Sequence, residues 1–509
     1  MSANDLMYPV VFLGIIMAGG VFTGSNPNVV AQELAHQLRD SDATFLICNE
    51  VVLDTGVQAA EAIGMSKDKI FIFNSDVFDG KSIIKKEYRH WSELILSEKE
   101  GNDFIWDNLT APEACHKTLA LNYSSGTTGL PKGVEITHKN YVENTAQMSF
   151  RDMLKDDWYE KHHLYRQLCF LPLYHAMAQT IFLANSIKED VPTYIMEKYD
   201  FEQILRYTEL YGISSYTFVP PIVVRFAKDP IVKRYNLSSV LFLTCGAAPL
   251  SEDVIAEAEA KFPQENKVNI KQGWGMTETT CSILGWDANE TCHDGSVGEP
   301  NANCEIAIMP PSTEVDLQFL KPELELPRYT PGELWARGAN IMKGYWRNPA
   351  ATAVTKTQDG WLKSGDICYV DDRNHVFIVD RLKELIKVKG LQVAPAEVEA
   401  TLLRHKAIVD VGVIGVPNKE DPTDELVRAY VVLTHSQSPN ENREAVKEDI
   451  VAFLKANAAK HKWITGGVKF VDEIPKNPSG KILRRKLKDM AKEEEEDDRT
   501  KGASLKSRL

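Results

Sequence analysis

Residues Tyr123–Gly133 read YSSGTTGLPKG and run on to Thr137 and His138. Two serines, two threonines and three glycines in so short a span make a loop whose backbone N–H and hydroxyl groups can wrap phosphate oxygens. Lys132 adds a compact positive charge. The loop is not of the Walker type, because Pro131-Lys132-Gly133 stands where Gly-Lys-Ser/Thr would be needed. The plainer alternative is a polar surface turn; the completeness of the phosphate-loop composition argues against it.

Outward from this loop the chain alternates between helix and strand patterns. Asn28–Asp40 reads as a helix, Thr44–Cys48 as a short apolar strand and Val57–Ile63 as a helix. The alternation returns at Ile213–Val219, in the strand-like Val240–Thr244, and in a helix over Ser251–Phe262 capped by Ser251. This is α/β patterning, in which loops at strand ends carry the chemistry. Near Asp380 the character changes. Before it stand the β-rich GELWARG (Gly332–Gly338) and HVFIVD (His375–Asp380). After it, Pro395 opens a helix to about Arg404, Val409–Val416 and Val427–Thr434 read as strands, and Arg443–Ala459 as a helix. The expected organisation is a large domain over 1–380, a small mobile α+β domain over 381–490 and a charged tail over 491–509. Val379–Lys383 is the hinge candidate between the first two.

The 509 residues exceed one ordinary core, which agrees with more than one domain. A net charge of −14, from 58 basic and 72 acidic residues, argues against non-specific nucleic-acid binding. The eight cysteines form no CxxC pair and no zinc-spaced cluster, so they read as reduced thiols of an intracellular compartment. Tyr8–Phe22 is the most apolar stretch. It is too short to span a bilayer and is preceded by Asp5 with no basic residue, so a buried helix is expected rather than an anchor or signal.

YSSGTTGLPKGVEITH resembles the signature of the adenylate-forming superfamily, which includes acyl- and aryl-CoA ligases, luciferases and peptide-synthetase adenylation domains. Similar segments follow in the family's order: LPLYHA (Leu171–Ala176), GAAPL (Gly246–Leu250), QGWGMTE (Gln272–Glu278), GELWARG, SGD (Ser364–Asp366), DRLKELIKVKGLQVAPAEVE (Asp380–Glu399) and PKNPSGKILRR (Pro475–Arg485). The resemblance covers nearly all of positions 8–487, and the hinge segment is most similar to 4-coumarate–CoA ligase-like enzymes.

The resemblance implies the two-domain fold of that superfamily and an ATP-dependent carboxylic acid–CoA ligase working through an acyl-adenylate, with ATP, Mg²⁺ and coenzyme A. It places Ser124, Ser125, Gly126, Thr127, Thr128 and Lys132 on the phosphates, and Thr128 and Glu278 on Mg²⁺. Gln272, Gly273, Trp274 and Thr277 fall on the nucleotide, with Trp274 stacking on adenine where tyrosine is commoner. Asp366 takes the ribose hydroxyls and Arg381 the ribose–phosphate side. Lys481 matches the adenylation lysine, Lys383 the hinge, Lys389 and Gly390 the CoA contacts, and Lys387 and Gln392 catalytic positions of the centre. His175 is a further catalytic candidate beside an acyl pocket near Met177, Ala247, Gly273, Met276 and Thr277.

Two departures bear on the reading. Met177 stands where hydroxycinnamate ligases carry an aromatic residue; a flexible thioether leaves room for aryl acids without a phenol or for medium-chain fatty acids. Relatives usually carry several dozen residues ahead of the MYPVVFLGI segment, so a shortened first subdomain with uncovered strand edges is expected. The final Ser507-Arg508-Leu509 is one conservative change from a peroxisomal address, which implies an import receptor as partner, with the cytoplasm as the default otherwise. Transfer to a carrier-protein thiol, luciferase-like oxidation and a non-catalytic nucleotide-binding relative stay open as alternatives. Lys389 and Gly390 favour CoA, and Lys481, Glu278 and Asp366 favour turnover.

Overall fold

Short β-branched and aromatic runs separated by amphipathic stretches build the first layer of a computed structural model. It describes residues 1–75, 87–124, 130–246, 250, 252–291, 294–311, 318–389, 391–418, 421, 424–434, 443–477 and 480–494. Helix α1 (Tyr8–Met17) is followed by α2 (Ala31–Asp40), β1 (Leu46–Asn49), α3 (Leu53–Glu61) and β2 (Ile70–Phe73). Strands β1 and β2 pair in parallel, and α2 turns Leu34, Ala35 and Leu38 onto their core. The Met1 amino group donates to the Ile47 carbonyl at 2.8 Å and Asn49 N–H to the Met1 carbonyl at 2.9 Å, so the first residues run along β1.

The apolar Tyr8–Phe22 stretch forms a helix as its composition suggests, but the expectation of burial needs correcting. Only Tyr8 and Phe12 of α1 are fully buried, while Leu6, Val10, Met17 and Val21 around it are exposed. The helix is apolar on every side, and its packing is anchored by Phe12 against Phe22 and Tyr141.

Strands β3 (Thr118–Ser124) and β4 (Lys132–Thr137) form an antiparallel pair that leads into α4 (His138–Met153). A parallel sheet follows from β5 (Gln167–Cys169), β6 (Thr193–Ile195), β7 (Ser215–Phe218), β8 (Phe242–Cys245) and β9 (Ile270–Gln272), in the spatial order β9-β8-β7-β5-β6. Its crossovers include α5 (Phe201–Tyr211), α6 (Pro220–Lys228) and α7 (Glu252–Glu259). An antiparallel sheet then runs in sequence order through β10 (Cys304–Met309), β11 (Gly332–Gly338), β12 (Leu362–Val370) and β13 (Val376–Arg381). One apolar core from Tyr8 to Val376 joins these layers.

Beyond Arg381 the chain builds separate cores. Strands β14 (Ile386–Val388) and β15 (Leu391–Val393) form a hairpin, and α8 (Pro395–Leu403) begins with the proline in its first turn. Strands β16 (Ile408–Pro417), β17 (Glu425–Leu433) and β18 (Val468–Phe470) make a sheet packed with α9 (Arg443–Asn457). This small unit touches the large one through Lys228, whose ammonium donates to the carbonyls of Leu403 at 3.0 Å and Ile408 at 3.1 Å. Arg404 pairs with Asp253 at 2.9 Å. Among the described residues no helix is long and apolar enough to cross a membrane, and seven cysteines are free thiols.

Candidate active site

The phosphate-type loop is held at both ends by the β3–β4 ladder, in which Ser124 stands opposite Lys132. Ser125, Gly126, Thr127 and Thr128, with Ala247 and Gly390, lie outside the described residues. The Lys132 ammonium sits 4.9 Å from the centre of the Tyr345 ring, and the Tyr345 hydroxyl donates to Glu278 Oε1 at 2.8 Å. Burial and the neighbouring Glu278 carboxylate push the Tyr345 phenol upward, so it stays a protonated donor. Tyr345 therefore links the loop lysine to the buried Glu278. Sequence reasoning did not single it out, because Gly344-Tyr345 reads as an ordinary strand pair; its register against β4 brings it here.

Just after β9 the chain meets β12 and β13. The Trp274 indole N–H donates to Asp366 Oδ2 at 2.9 Å, and Arg381 Nε lies 3.5 Å from Asp366 Oδ1. Asp366 and Arg381 are register partners across β12 and β13, so pairing alone sets them side by side. Gln272 behaves differently from its neighbours. Its amide exchanges two hydrogen bonds with the Leu250 backbone, at 2.9 and 3.3 Å, and is fully buried. It braces Leu250 from a position two residues before Trp274.

The turn after Glu278 is tightly wound. Thr280 adopts φ +68° and ψ −53°, a region β-branched residues avoid. The Cys281 carbonyl consequently lies where a side chain on Gly275 would be: a Cβ there would be 1.7 Å from it. Only glycine fits between Trp274 and Met276.

His175 precedes a helix over 176–188 that includes a π-helical stretch, Gln179–Asn185. The His175 Nδ1 is shielded and has no hydrogen-bond partner among the described residues, and burial pushes the ring down to about 4, so the imidazole is neutral. A Cβ on Gly246 would lie 3.6 Å from the Met177 sulfur and 3.8 Å from the Gly273 carbonyl, which brings these three residues together. Met276 and Thr277 begin the short turn that follows Gly275.

Lys481 lies in the small domain, on a loop that abuts the large one. Its loop is closed by Asn477, whose N–H donates to the Lys481 carbonyl at 2.9 Å and whose side chain accepts from Lys481 N–H at 2.9 Å. Gly480, at φ +80°, is 3.1 Å in Cβ terms from Val219 and Pro221 of the large domain. Burial, with Arg381 close by, pushes the Lys481 ammonium down to about 8, against the pull of Glu384 and Asp366. Lys481 is thus grouped with Asp366 and Arg381. The structure does not group Lys387, Gln392 and Lys389 with them. Lys387 and Gln392 face each other across the β14–β15 hairpin, and both, like Lys389 and the hinge candidate Lys383, are exposed.

A separate cluster, Asp294, Asp371 and His375, lies at the β12–β13 turn. Arg373 pairs with both carboxylates, which makes the cluster a lock on the hairpin.

The AMP-binding enzyme family matches residues 1–346, and the C-terminal domain of AMP-binding enzymes matches residues 397–481. A phenylacetyl-CoA ligase of Aspergillus niger is 33% identical over 495 residues, covering 96% of this chain and 85% of the relative. A 4-coumarate–CoA ligase of Petroselinum crispum is 36% identical over 491 residues, covering 95% and 82%. A peroxisomal OPC-8:0-CoA ligase of Arabidopsis thaliana is 35% identical over 490 residues, covering 96% and 82%. The fold is shared with an anthranilate CoA ligase solved with anthranoyl-AMP, at a TM-score of 0.77 and 22% identity over 96% of this chain and 86% of that one. By the extent of these matches and the order of its motifs, the chain belongs to the AMP-binding enzyme family, the adenylate-forming superfamily.

Proposed function

We propose that this adenylate-forming enzyme is an ATP-dependent acid–CoA ligase whose acid is an aryl or arylalkyl carboxylic acid or a medium-chain fatty acid. The observation that carries the reading is that Trp274, Asp366 and Arg381 are joined in the large domain, and that the Lys481 loop of the small domain closes on that domain at Val219 and Pro221, within electrostatic reach of Asp366 and Arg381. In the first half-reaction a carboxylate oxygen attacks the α-phosphorus of ATP and pyrophosphate leaves. Both reactants are anions, so positive charge and fixed placement lower the barrier. Lys481 supplies an ammonium at the junction, Arg381 a guanidinium beside the ribose carboxylate Asp366, and Lys132 a charge at the phosphate loop.

Glu278 is an oxygen donor of the kind a hard cation takes, so Mg²⁺ fits this carboxylate, with Thr128 as the other ligand. Bound there, Mg²⁺ would neutralise triphosphate charge. In the second half-reaction the CoA thiolate attacks the acyl carbonyl and AMP leaves. Lys389 and Gly390 would contact CoA, and Lys387 and Gln392 would serve that step after the small domain turns about Lys383. Met177, a thioether beside glycines, suits an apolar acyl group more than a phenol. The names of the curated relatives support CoA as acceptor and acids of this range as substrates.

Incubating the chain with ATP, Mg²⁺ and CoA against 4-coumarate, phenylacetate, 2-aminobenzoate and octanoate, with mass detection of CoA thioesters, tests the proposal. A thioester of phenylacetate or octanoate in excess over that of 4-coumarate is expected. AMP release without any thioester would reject CoA as the acceptor. The Ser507-Arg508-Leu509 end, which lies outside the described residues, and one peroxisomal relative support a peroxisomal setting.

A further inference from the structure

The Lys481 loop is braced within itself: besides the Asn477 contacts, Gly480 N–H donates to the Asn477 carbonyl at 2.8 Å and Leu483 N–H to the Pro475 carbonyl at 2.8 Å. Such a unit moves as one body unless something fastens it to the domain. One fastening is Lys476, whose ammonium donates to Asp410 of β16 at 2.6 Å; the other, nearer the hinge, is Arg484, three residues beyond Lys481. The Arg484 Nε donates to Glu384 at 2.8 Å, and its Nη1 and Nη2 donate to the two oxygens of Glu399 at 2.5 and 3.1 Å. Arg484 and Glu399 are each 11% exposed and Glu384 13%. Burial works against the guanidinium charge, but Glu399 and Glu384 outweigh it and hold Arg484 cationic.

These partners are not neutral ground. Glu384 is the residue after the hinge candidate Lys383, and Glu399 lies on α8, where it also accepts the Val413 N–H of β16 at 2.7 Å. Facing them from the large domain is Asp380, buried at the end of β13. It accepts the Arg381 N–H at 2.7 Å and, across to α8, the Ala396 N–H at 3.0 Å. Arg484 thus ties the lysine loop, the hinge and α8 together at the point where the small domain meets the large one.

We propose that Arg484 is a positioning residue for the acid-activating half-reaction: its clamp on Glu384 and Glu399 sets where the Lys481 ammonium stands. The inference rests on the ligase reading above. An ammonium displaced by about 1 Å from a reacting phosphate can cost on the order of a hundredfold in rate. A lysine at 484 keeps a cation between the two glutamates but loses the planar fork that holds both.

The test uses the full chain with arginine, lysine or methionine at position 484. Acid-dependent ATP–pyrophosphate exchange with phenylacetate and octanoate reports the first half-reaction. Thioester formation from the synthetic adenylates of those acids with CoA reports the second. For Arg484→Lys, exchange kcat falls roughly ten- to a hundredfold, with the ATP KM and the thioester step within about twofold of wild type. Arg484→Met gives the same split. In addition, its alkaline limb of exchange moves to higher pH, because Lys481 then faces Arg381, Asp366 and an unclamped Glu384 without the second arginine. A purely structural arginine would lower both half-reactions together and leave that limb in place, and either result overturns the proposal. If the methionine variant does not fold, the lysine variant decides by the same split. A wild-type chain that performs neither half-reaction with either acid removes the ligase reading and this inference with it.

Discussion

The Trp274 indole N–H and the Asp366 carboxylate are joined by a 2.9 Å hydrogen bond that ties the loop after β9 to the antiparallel sheet. One side chain would thereby offer an aromatic face to a base while it holds the carboxylate that would take the ribose. A hydrogen bond to a charged group contributes about 1.5–3 kcal/mol. Trp274→Phe keeps the ring and removes the N–H. Its ATP KM should rise about tenfold or more, with a melting temperature a few degrees lower; an unchanged KM in steady-state assays would show that the contact does not orient Asp366.

Lys481 sets a pH limit on acid activation. Its ammonium is pushed from 10.5 down to about 8, so it is charged below that value and lost as pH rises through it. Because the folded value lies below the unfolded one, the charged form costs stability below about pH 8, and an anion bound beside it offsets that cost. Pyrophosphate exchange should fall on an alkaline limb near pH 8 when measured at subsaturating ATP. Lys481→Arg, weaker overall, should keep a flat profile to pH 10. A wild-type profile flat across that range would remove the ammonium from the step.

Gly480 tests the contact between the domains. Its φ of +80° and its 3.1 Å approach to Val219 and Pro221 leave little room for a side chain. A left-handed backbone costs an ordinary residue about 1–2 kcal/mol. Gly480→Val should therefore cut exchange about tenfold or more and spare thioester formation from a supplied adenylate. Equal loss in both assays would mean that the close approach is not specific to acid activation.

Gly275 is a stability prediction. A Cβ 1.7 Å from the Cys281 carbonyl cannot be relieved by a side-chain rotation, since the obstacle is backbone. Overpacking of this kind costs about 1–3 kcal/mol or more. Gly275→Ala should melt several degrees below wild type by calorimetry and lose ATP binding. A variant with native stability would show that the Thr280 turn relaxes freely.

Much of the site was legible because its motifs carry their own chemistry. The serine- and threonine-rich loop with Lys132 reads as anion-binding by composition, whereas Asp366, Arg381 and Lys481 stood out only through the resemblance of their motifs to the adenylate-forming superfamily. The β12–β13 register sets Asp366 and Arg381 side by side, a pairing that the pattern of either strand alone does not show. What stayed hidden depended on distant pairing. Tyr345 became visible only when Gly344-Tyr345 paired with β4, and Arg484 only when its charge was buried rather than solvated. Gln272 sat in a nucleotide motif, yet its amide turned to the Leu250 backbone, a choice made by local geometry. The α1 helix was read as buried from its composition, but composition does not say how much surface the neighbours can cover.

Acid-dependent ATP–pyrophosphate exchange in the absence of CoA tests the central claim most directly, because it isolates formation of the acyl-adenylate. With phenylacetate or octanoate, the wild-type chain should exchange label into ATP without CoA, and Lys481→Ala should abolish that exchange while still converting the synthetic adenylate to the thioester. Exchange that needs CoA, or that survives in Lys481→Ala, would contradict an enzyme that activates its acid as an adenylate through Lys481.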